Sequence, residues 1–296
     1  MSINTPIFAI VTPFLADGKI DFKSLNNYLI FLQEKGVKTI LTNGTTAEFP
    51  SLSIEERMSL SEYCRQTFEG TILNNISSCC QNDCLKLASH AENYADTLVI
   101  LPPFYYAEVT EAGIVAFFSE ILQQICMPIL LYNFPKHTNN IITPEILTNL
   151  LTKHNNLIGI KDSSGSLKNA IKLKKIDDLQ VFLGSDRLAL EALTNGLDGF
   201  ITGGGNVFPE FVVAISHYFY ADSLASAKQS QANLNVWSQF RKQYPKSEIA
   251  ITKTALSTRI NGFPTFVRPP LSKLSEDECD KTLLFMKNNN GLKNDS

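Results

Sequence analysis

Three groups of residues in this sequence are of the types that carbonyl chemistry uses. Lys161 closes the apolar run Asn156-Leu157-Ile158-Gly159-Ile160-Lys161-Asp162. A lysine at such a position is partly withdrawn from water, which disfavours an ammonium and leaves an amine able to form an imine. A rim salt bridge to Asp162 or another acid is the competing use of the same side chain. Tyr132 closes a second run, Ile129-Leu130-Leu131-Tyr132-Asn133, and its hydroxyl is either a proton shuttle or a satisfied core phenol. Gly44-Thr45-Thr46 follows a third run. Its N–H groups and two hydroxyls can cradle a carboxylate or an oxyanion, or simply turn the chain.

These residues need elements that bring them to one place. Short β-branched apolar runs recur at 7–12, 37–42, 71–76, 97–101, 129–133, 157–161, 180–183 and 199–202, each with the composition of a strand buried on both faces. Amphipathic stretches lie between them, opened by start signals: Ser53-Ile54-Glu55-Glu56 is a capping box, Thr143-Pro144-Glu145 an N-cap with proline and acid behind it, and Asp186 precedes Arg187-Leu188-Ala189. Strand and helix alternate, and no glycine-rich dinucleotide turn follows the first strand. The pattern predicts a (β/α)8 TIM barrel over 1–220, with a helical extension over 221–296 made of helices at 223–244, 247–260 and 275–287. The polar tail 287–296 is expected to fray.

In such a barrel the chemistry sits where strands end. The strand ends here are Thr12-Pro13, Asn43 to Glu48, Ser77-Ser78, Pro102 to Tyr106, Tyr132 to Pro135, Lys161 to Ser164, Gly184-Ser185-Asp186 and Gly203 to Asn206. Lys161, Tyr132 and Thr45-Thr46 all fall within this set. So do Ser163, Ser164, Ser185, Asp186 and Asn206, which could bind substrate hydroxyls or serve as caps and turns.

Composition excludes other classes. The 296 residues are 44% hydrophobic and 19% charged with net charge −3, so no basic footprint for nucleic acid is present. No apolar stretch is long enough to span a bilayer, and the start lacks a basic n-region, which gives the expectation of a cytoplasmic protein. The six cysteines lack metal-knuckle spacing and are expected to be reduced and mostly buried, Cys79-Cys80 lying near the mouth. There is no HExxH, Walker loop or Gly-x-Ser-x-Gly elbow, so the expectation is chemistry without metal or organic cofactor.

From Ile7 to about Leu274 the chain resembles the dihydrodipicolinate synthase and N-acetylneuraminate lyase family of pyruvate-dependent class I aldolases. The resemblance is carried by Gly44-Thr45-Thr46-Ala47-Glu48, Tyr132-Asn133-Phe134-Pro135, Gly159-Ile160-Lys161-Asp162, Gly196-Leu197-Asp198-Gly199 and Arg268-Pro269-Pro270. It implies that Lys161 is the imine lysine, that Tyr132 relays protons with Thr45 as its hydrogen-bond partner, and that Thr45 and Thr46 anchor the pyruvate carboxylate. Ile201 would border the pyruvyl group. The second aromatic of Phe104-Tyr105-Tyr106 resembles a tyrosine lent across a dimer interface, and relatives are commonly dimers or tetramers.

The partner of pyruvate is less determined. His137 stands where the dihydrodipicolinate synthases place an arginine that grips the aldehyde's carboxylate, and neutral histidine is a poorer clamp. Neuraminate lyases have serine at the position of Thr45. Pro50-Ser51-Leu52-Ser53, Gly184-Ser185-Asp186 and the Phe-Tyr-Tyr run look more like 2-keto-3-deoxygluconate aldolases, which yield pyruvate and glyceraldehyde. Ala47 and Asn139 occupy positions where the family commonly has glycine. Dihydrodipicolinate synthase, N-acetylneuraminate lyase and a non-catalytic 2-oxo-acid-binding barrel are the alternatives.

Overall fold

Each β-branched run forms a short strand whose successive side chains face opposite ways. The structure is a computed structural model that describes residues 3–289. The strands are β1 Ile7–Ala9, β2 Thr39–Thr42, β3 Thr71–Asn75, β4 Thr97–Ile100, β5 Ile129–Asn133, β6 Leu157–Asp162, β7 Gln180–Leu183 and β8 Gly199–Thr202. They run parallel in sequence order and close into a barrel where β8 meets β1 through Ile7↔Ile201 and Phe8↔Thr202. The helices are α1 Phe22–Glu34, α2 Ile54–Thr67, α3 Gln81–Ala91, α4 Glu111–Leu122, α5 Pro135–Thr138, α6 Pro144–Leu151, α7 Leu167–Leu173, α8 Ala189–Thr194, α9 Pro209–Tyr220, α10 Leu224–Arg241, α11 Glu248–Ser257 and α12 Glu276–Asn288. The fold is a (β/α)8 TIM barrel followed by further helices.

Strand alternation sorts the apolar residues into two layers. Ile7, Ala9, Leu41, Leu73, Val99, Leu130, Phe182 and Ile201 fill the lumen together with Tyr132. Their strand neighbours Phe8, Ile40, Ile72, Leu98, Leu131, Ile160, Val181 and Phe200 face the helices. Between β5 and β6 the register skips Ile158: Ile129 pairs with Leu157, but Leu130 pairs with Gly159. Beyond this bulge Tyr132 lies opposite Lys161 and Asn133 opposite Asp162. Gly159 is required there, because a Cβ would come within 2.4 Å of the Gln180 carbonyl oxygen.

The capping box at Ser53 and Glu56 and the N-cap at Thr143 form as the sequence predicts. Asp186 caps no helix; α8 starts later, after a short 3₁₀ turn, and the carboxylate is used elsewhere. The polar tail lies, from residue 290 onward, outside the described residues, and Lys287 is still in α12. All six cysteines are free, but only Cys64 and Cys84 are buried, where loss of water pushes both thiols up to about 12. Cys79, Cys80 and Cys126 lie exposed in loops, a correction to the expectation of mostly buried thiols.

Candidate active site

Neighbouring strands place register partners on the same side of a sheet, so β5 and β6 present Tyr132 and Lys161 together to the lumen. The Lys161 amine stands 3.9 Å from the centre of the Tyr132 ring, and both residues are buried. The Tyr132 hydroxyl is 3.4 Å from the Thr45 hydroxyl, which arrives from the loop after β2. Three residues far apart in sequence thus meet at the C-terminal mouth of the barrel, and Phe182 flanks Lys161 on β7.

The same alternation disposes of the rim salt bridge. Asp162 follows Lys161 and therefore points the other way, toward the helices. Its buried carboxylate accepts hydrogen bonds from the Asn133 amide at 2.7 Å, the Ser164 hydroxyl at 2.9 Å and the Asn169 amide at 3.0 Å. Asn133 in turn accepts from the Ile142 N–H, which ties the loop after β5 to β6. Asp162 fixes the backbone behind Lys161 and leaves the amine without it.

The cradle is a tight turn. The N–H groups of Ala47 and Glu48 donate to the Gly44 and Thr45 carbonyls, and the Thr12 hydroxyl donates to the Ala47 carbonyl. Thr45 and Thr46 remain half-buried. Thr46 faces the loop after β8, since a Cβ on Gly203 would meet its hydroxyl at 2.6 Å. Ala47 is buried in an ordinary backbone conformation that needs no glycine, whereas Asn139 has φ 51°, a left-handed geometry that asparagine tolerates in place of glycine.

The rest of the mouth divides into wall and rim. Asp186 is wall: it accepts from the Thr202 hydroxyl at 2.5 Å and from the Arg241 guanidinium at 2.7 Å. Arg241 lies against Gly204 and also reaches Glu248 at 3.2 Å, so α10 and α11 close this side. Asn206 is likewise engaged, donating to the Ala9 and Gly203 carbonyls and accepting from the Tyr28 hydroxyl. Ser164 bonds Asp162, Ser163 packs against Gly184, and Ser185 is half-buried beside them. Ile201 lines the lumen.

His137 sits at the exposed rim, its ring centre 4.2 Å from that of Phe134 in an edge-to-face arrangement, and Phe134 stacks on Tyr132. Partial burial holds His137 below its ordinary value, helped by Lys136 and opposed by Glu248. Tyr105 and Tyr106 are 80% and 70% exposed and take no part in the lumen of this chain. Their loop is fastened by Asn140, whose amide donates to the Pro103 and Tyr106 carbonyls.

Residues missed from sequence lie under the cradle. Glu48 and Lys253 form a fully buried ion pair, and the Arg268 N–H donates to the second Glu48 oxygen at 2.9 Å. Burial pushes Lys253 down to about 8, with Glu48 pulling the other way. Glu48 and Arg268 stand in the distinctive motifs, but only the fold brings α11 to them. A cavity of about 350 Å³ opens at the opposite end of the barrel, walled by Lys174, Asp177, Asp178 and Asp198, and no candidate site residue lines it.

Residues 3–288 match the dihydrodipicolinate synthetase family. The chain belongs to that family. Family members are pyruvate-dependent lyases and aldolases, and this chain is an enzyme of that class acting on small molecules, which removes the non-catalytic barrel from consideration. An uncharacterised DapA-like lyase of Pyrococcus horikoshii is 34% identical over 282 residues, covering 93% of this chain and 96% of that protein. A probable 2-dehydro-3-deoxy-D-pentonate aldolase of Escherichia coli, YjhH, is 31% identical, covering 92% and 93%. The crystal structure of YagE, a prophage protein of the dihydrodipicolinic acid synthase family from E. coli solved with pyruvate, superposes with TM-score 0.90 at 25% identity, covering 99% of each chain. Among the described residues no helix is long and apolar enough to cross a membrane, and no group of three or more His, Cys, Asp or Glu side chains is arranged to hold a metal ion.

Proposed function

We propose that Lys161 forms an imine with the C2 carbonyl of pyruvate or of a 2-keto-3-deoxy sugar acid, and that the enzyme makes and cleaves the bond between C3 and C4. The observation that carries this is the buried Lys161 amine, free of Asp162, 3.9 Å over Tyr132, whose hydroxyl meets Thr45. The neutral amine attacks C2, and the carbinolamine loses water to give an iminium. Tyr132 takes the proton of the C4 hydroxyl and passes one toward Thr45 as the C3–C4 bond breaks. The bonding electrons move into the iminium to give an enamine, and the aldehyde leaves. Protonation at C3 and hydrolysis release pyruvate and return Lys161. Because the protonated imine is the electron sink, this sequence calls on no resident metal or organic cofactor. Thr45 and Thr46 hold the carboxylate throughout.

The aldehyde we assign is a hydroxylated one, glyceraldehyde from 2-keto-3-deoxygluconate. His137, exposed and held toward the neutral form, supports an uncharged partner over a carboxylate-bearing one such as aspartate semialdehyde, and a pentonate aldolase among the relatives supports a sugar acid. Asp186 and Ser185 shape the far wall, with Tyr105 and Tyr106 completing a neighbouring copy's mouth in a homodimer or tetramer. Borohydride reduction with pyruvate should leave the adduct on Lys161 by mass spectrometry; an unmodified Lys161 sinks the mechanism. Condensation assays with glyceraldehyde, glycolaldehyde, N-acetylmannosamine and aspartate semialdehyde should rank the hydroxyaldehydes first, and light scattering should show an oligomer. Faster turnover with aspartate semialdehyde would reassign the substrate.

A further inference from the structure

Glu48 has φ 60°, a left-handed backbone that a glutamate adopts only when its surroundings hold it there. Its own N–H donates to the Thr45 carbonyl, so this conformation closes the turn that presents Thr45 and Thr46. Both carboxylate oxygens are fixed from the C-terminal extension, one by α11 and one by the segment between α11 and α12. One takes the Lys253 ammonium from α11, and the other takes the Arg268 N–H. Lys253 also donates to the Phe266 carbonyl at 2.7 Å and lies 4.3 Å over the Phe14 ring. The Arg268 side chain then spans the cradle from outside, bonding the Gly18 and Ser51 carbonyls and the Glu56 carboxylate.

A fully desolvated ion pair is a weak source of stability, because the loss of hydration offsets most of the attraction. What this one does supply is geometry: together with the Arg268 N–H it puts two directed bonds on the carboxylate of the residue that ends the cradle. We propose that Glu48 and Lys253 are positioning residues for the Thr45–Thr46 cradle, through which the helical extension sets the site for the 2-oxo acid's carboxylate; this rests on the function proposed above. Neither side chain reaches the lumen, and neither touches substrate.

The test compares pyruvate with pyruvamide, which keeps the ketone and lacks the carboxylate charge. Initial rates of borohydride trapping are measured for wild type, Glu48→Gln and the Glu48→Gln/Lys253→Met double variant, whose neutral isosteres leave no buried charge unpaired. Wild type should favour pyruvate, and folded variants should lose about tenfold or more of that preference, as small displacements of an anchoring group do. A merely structural pair would lower the melting temperature and leave the ratio alone, and a folded variant with the wild-type ratio overturns the proposal. Should neither variant fold, amide exchange on the wild type decides. Pyruvate should slow exchange at 44–49 and also at 250–268; slowing confined to 44–49 overturns the coupling. Failure of wild type to trap pyruvate on Lys161 is a separate result that removes the underlying function and this inference with it.

Discussion

Two lysines of this enzyme share the features usually read as reactive. Lys161 on β6 and Lys253 on α11 are both buried, and each lies over an aromatic ring, at 3.9 Å and 4.3 Å. They differ in what else surrounds the amine. Strand alternation turns Asp162 away from Lys161 and leaves its amine in the lumen over Tyr132, whereas Lys253 is enclosed by Glu48 and the Phe266 carbonyl. Burial alone therefore does not mark a nucleophile; burial at the strand ends of the lumen without a counter-charge distinguishes Lys161 from Lys253.

The largest effect expected is from Lys161→Met, which should abolish borohydride trapping and cut aldol cleavage by several orders of magnitude. A pyruvate adduct appearing on Lys253 in that variant would break the comparison. Tyr132→Phe keeps the ring beneath the amine and removes only the proton relay. Turnover should fall about 10²- to 10⁴-fold while the trapped adduct still forms on Lys161, and wild-type kcat would show that the hydroxyl is idle. Lys253→Met leaves Glu48 buried without its partner, so urea unfolding should show a loss of roughly 3–5 kcal/mol, recovered in good part by the double variant with Glu48→Gln. An equal loss in both would mean that packing, not charge, matters there.

The smallest effect is in pH. Burial pushes Lys253 down to about 8 from 10.5. Between those values the unfolded chain keeps a proton that the folded enzyme releases, so on this group stability rises with pH across the window and is lost again as pH falls through 8. The slope is at most about 1.4 kcal/mol per pH unit, and the double variant should lack it. Urea midpoints at pH 7.5, 9 and 10 measure it, and parallel profiles for the two proteins would show that the pair does not titrate in that range.

The two lysines were also unequally visible in the sequence. Lys161 ends an apolar β-branched run, and the bounds of β5, β7 and β8 follow from such runs and the turns beside them. The first run extends to residue 12, yet β1 stops at Ala9: Ile10 still donates to the Leu41 carbonyl, and by Thr12 the chain has turned to the β2 loop, where its hydroxyl bonds the Ala47 carbonyl. Lys253 sits inside a helix, where a lysine by itself suggests a solvated face, and its partner lies 205 residues away in sequence. Asp186 misled for the same reason: an acid before a helical stretch resembles a cap, but its partners are Thr202 and Arg241, brought in by β8 and α10. Local pattern carries the elements and the strand-end residues. Long-range ion pairs have no local pattern to carry them.

The skipped residue in β6 gives the strand a phase that evolution and engineering must respect. Ile158 lies outside the ladder, so a chain shortened at that position would keep Lys161 opposite Tyr132. A chain shortened two residues later, at Ile160, would set Asp162 opposite Tyr132 and turn Lys161 out to the helices. Two deletions, alike in size and hydrophobicity, would thus present an amine or a carboxylate to the same space, and borohydride trapping would tell them apart. Within β6 a single residue can therefore invert the charge of the centre.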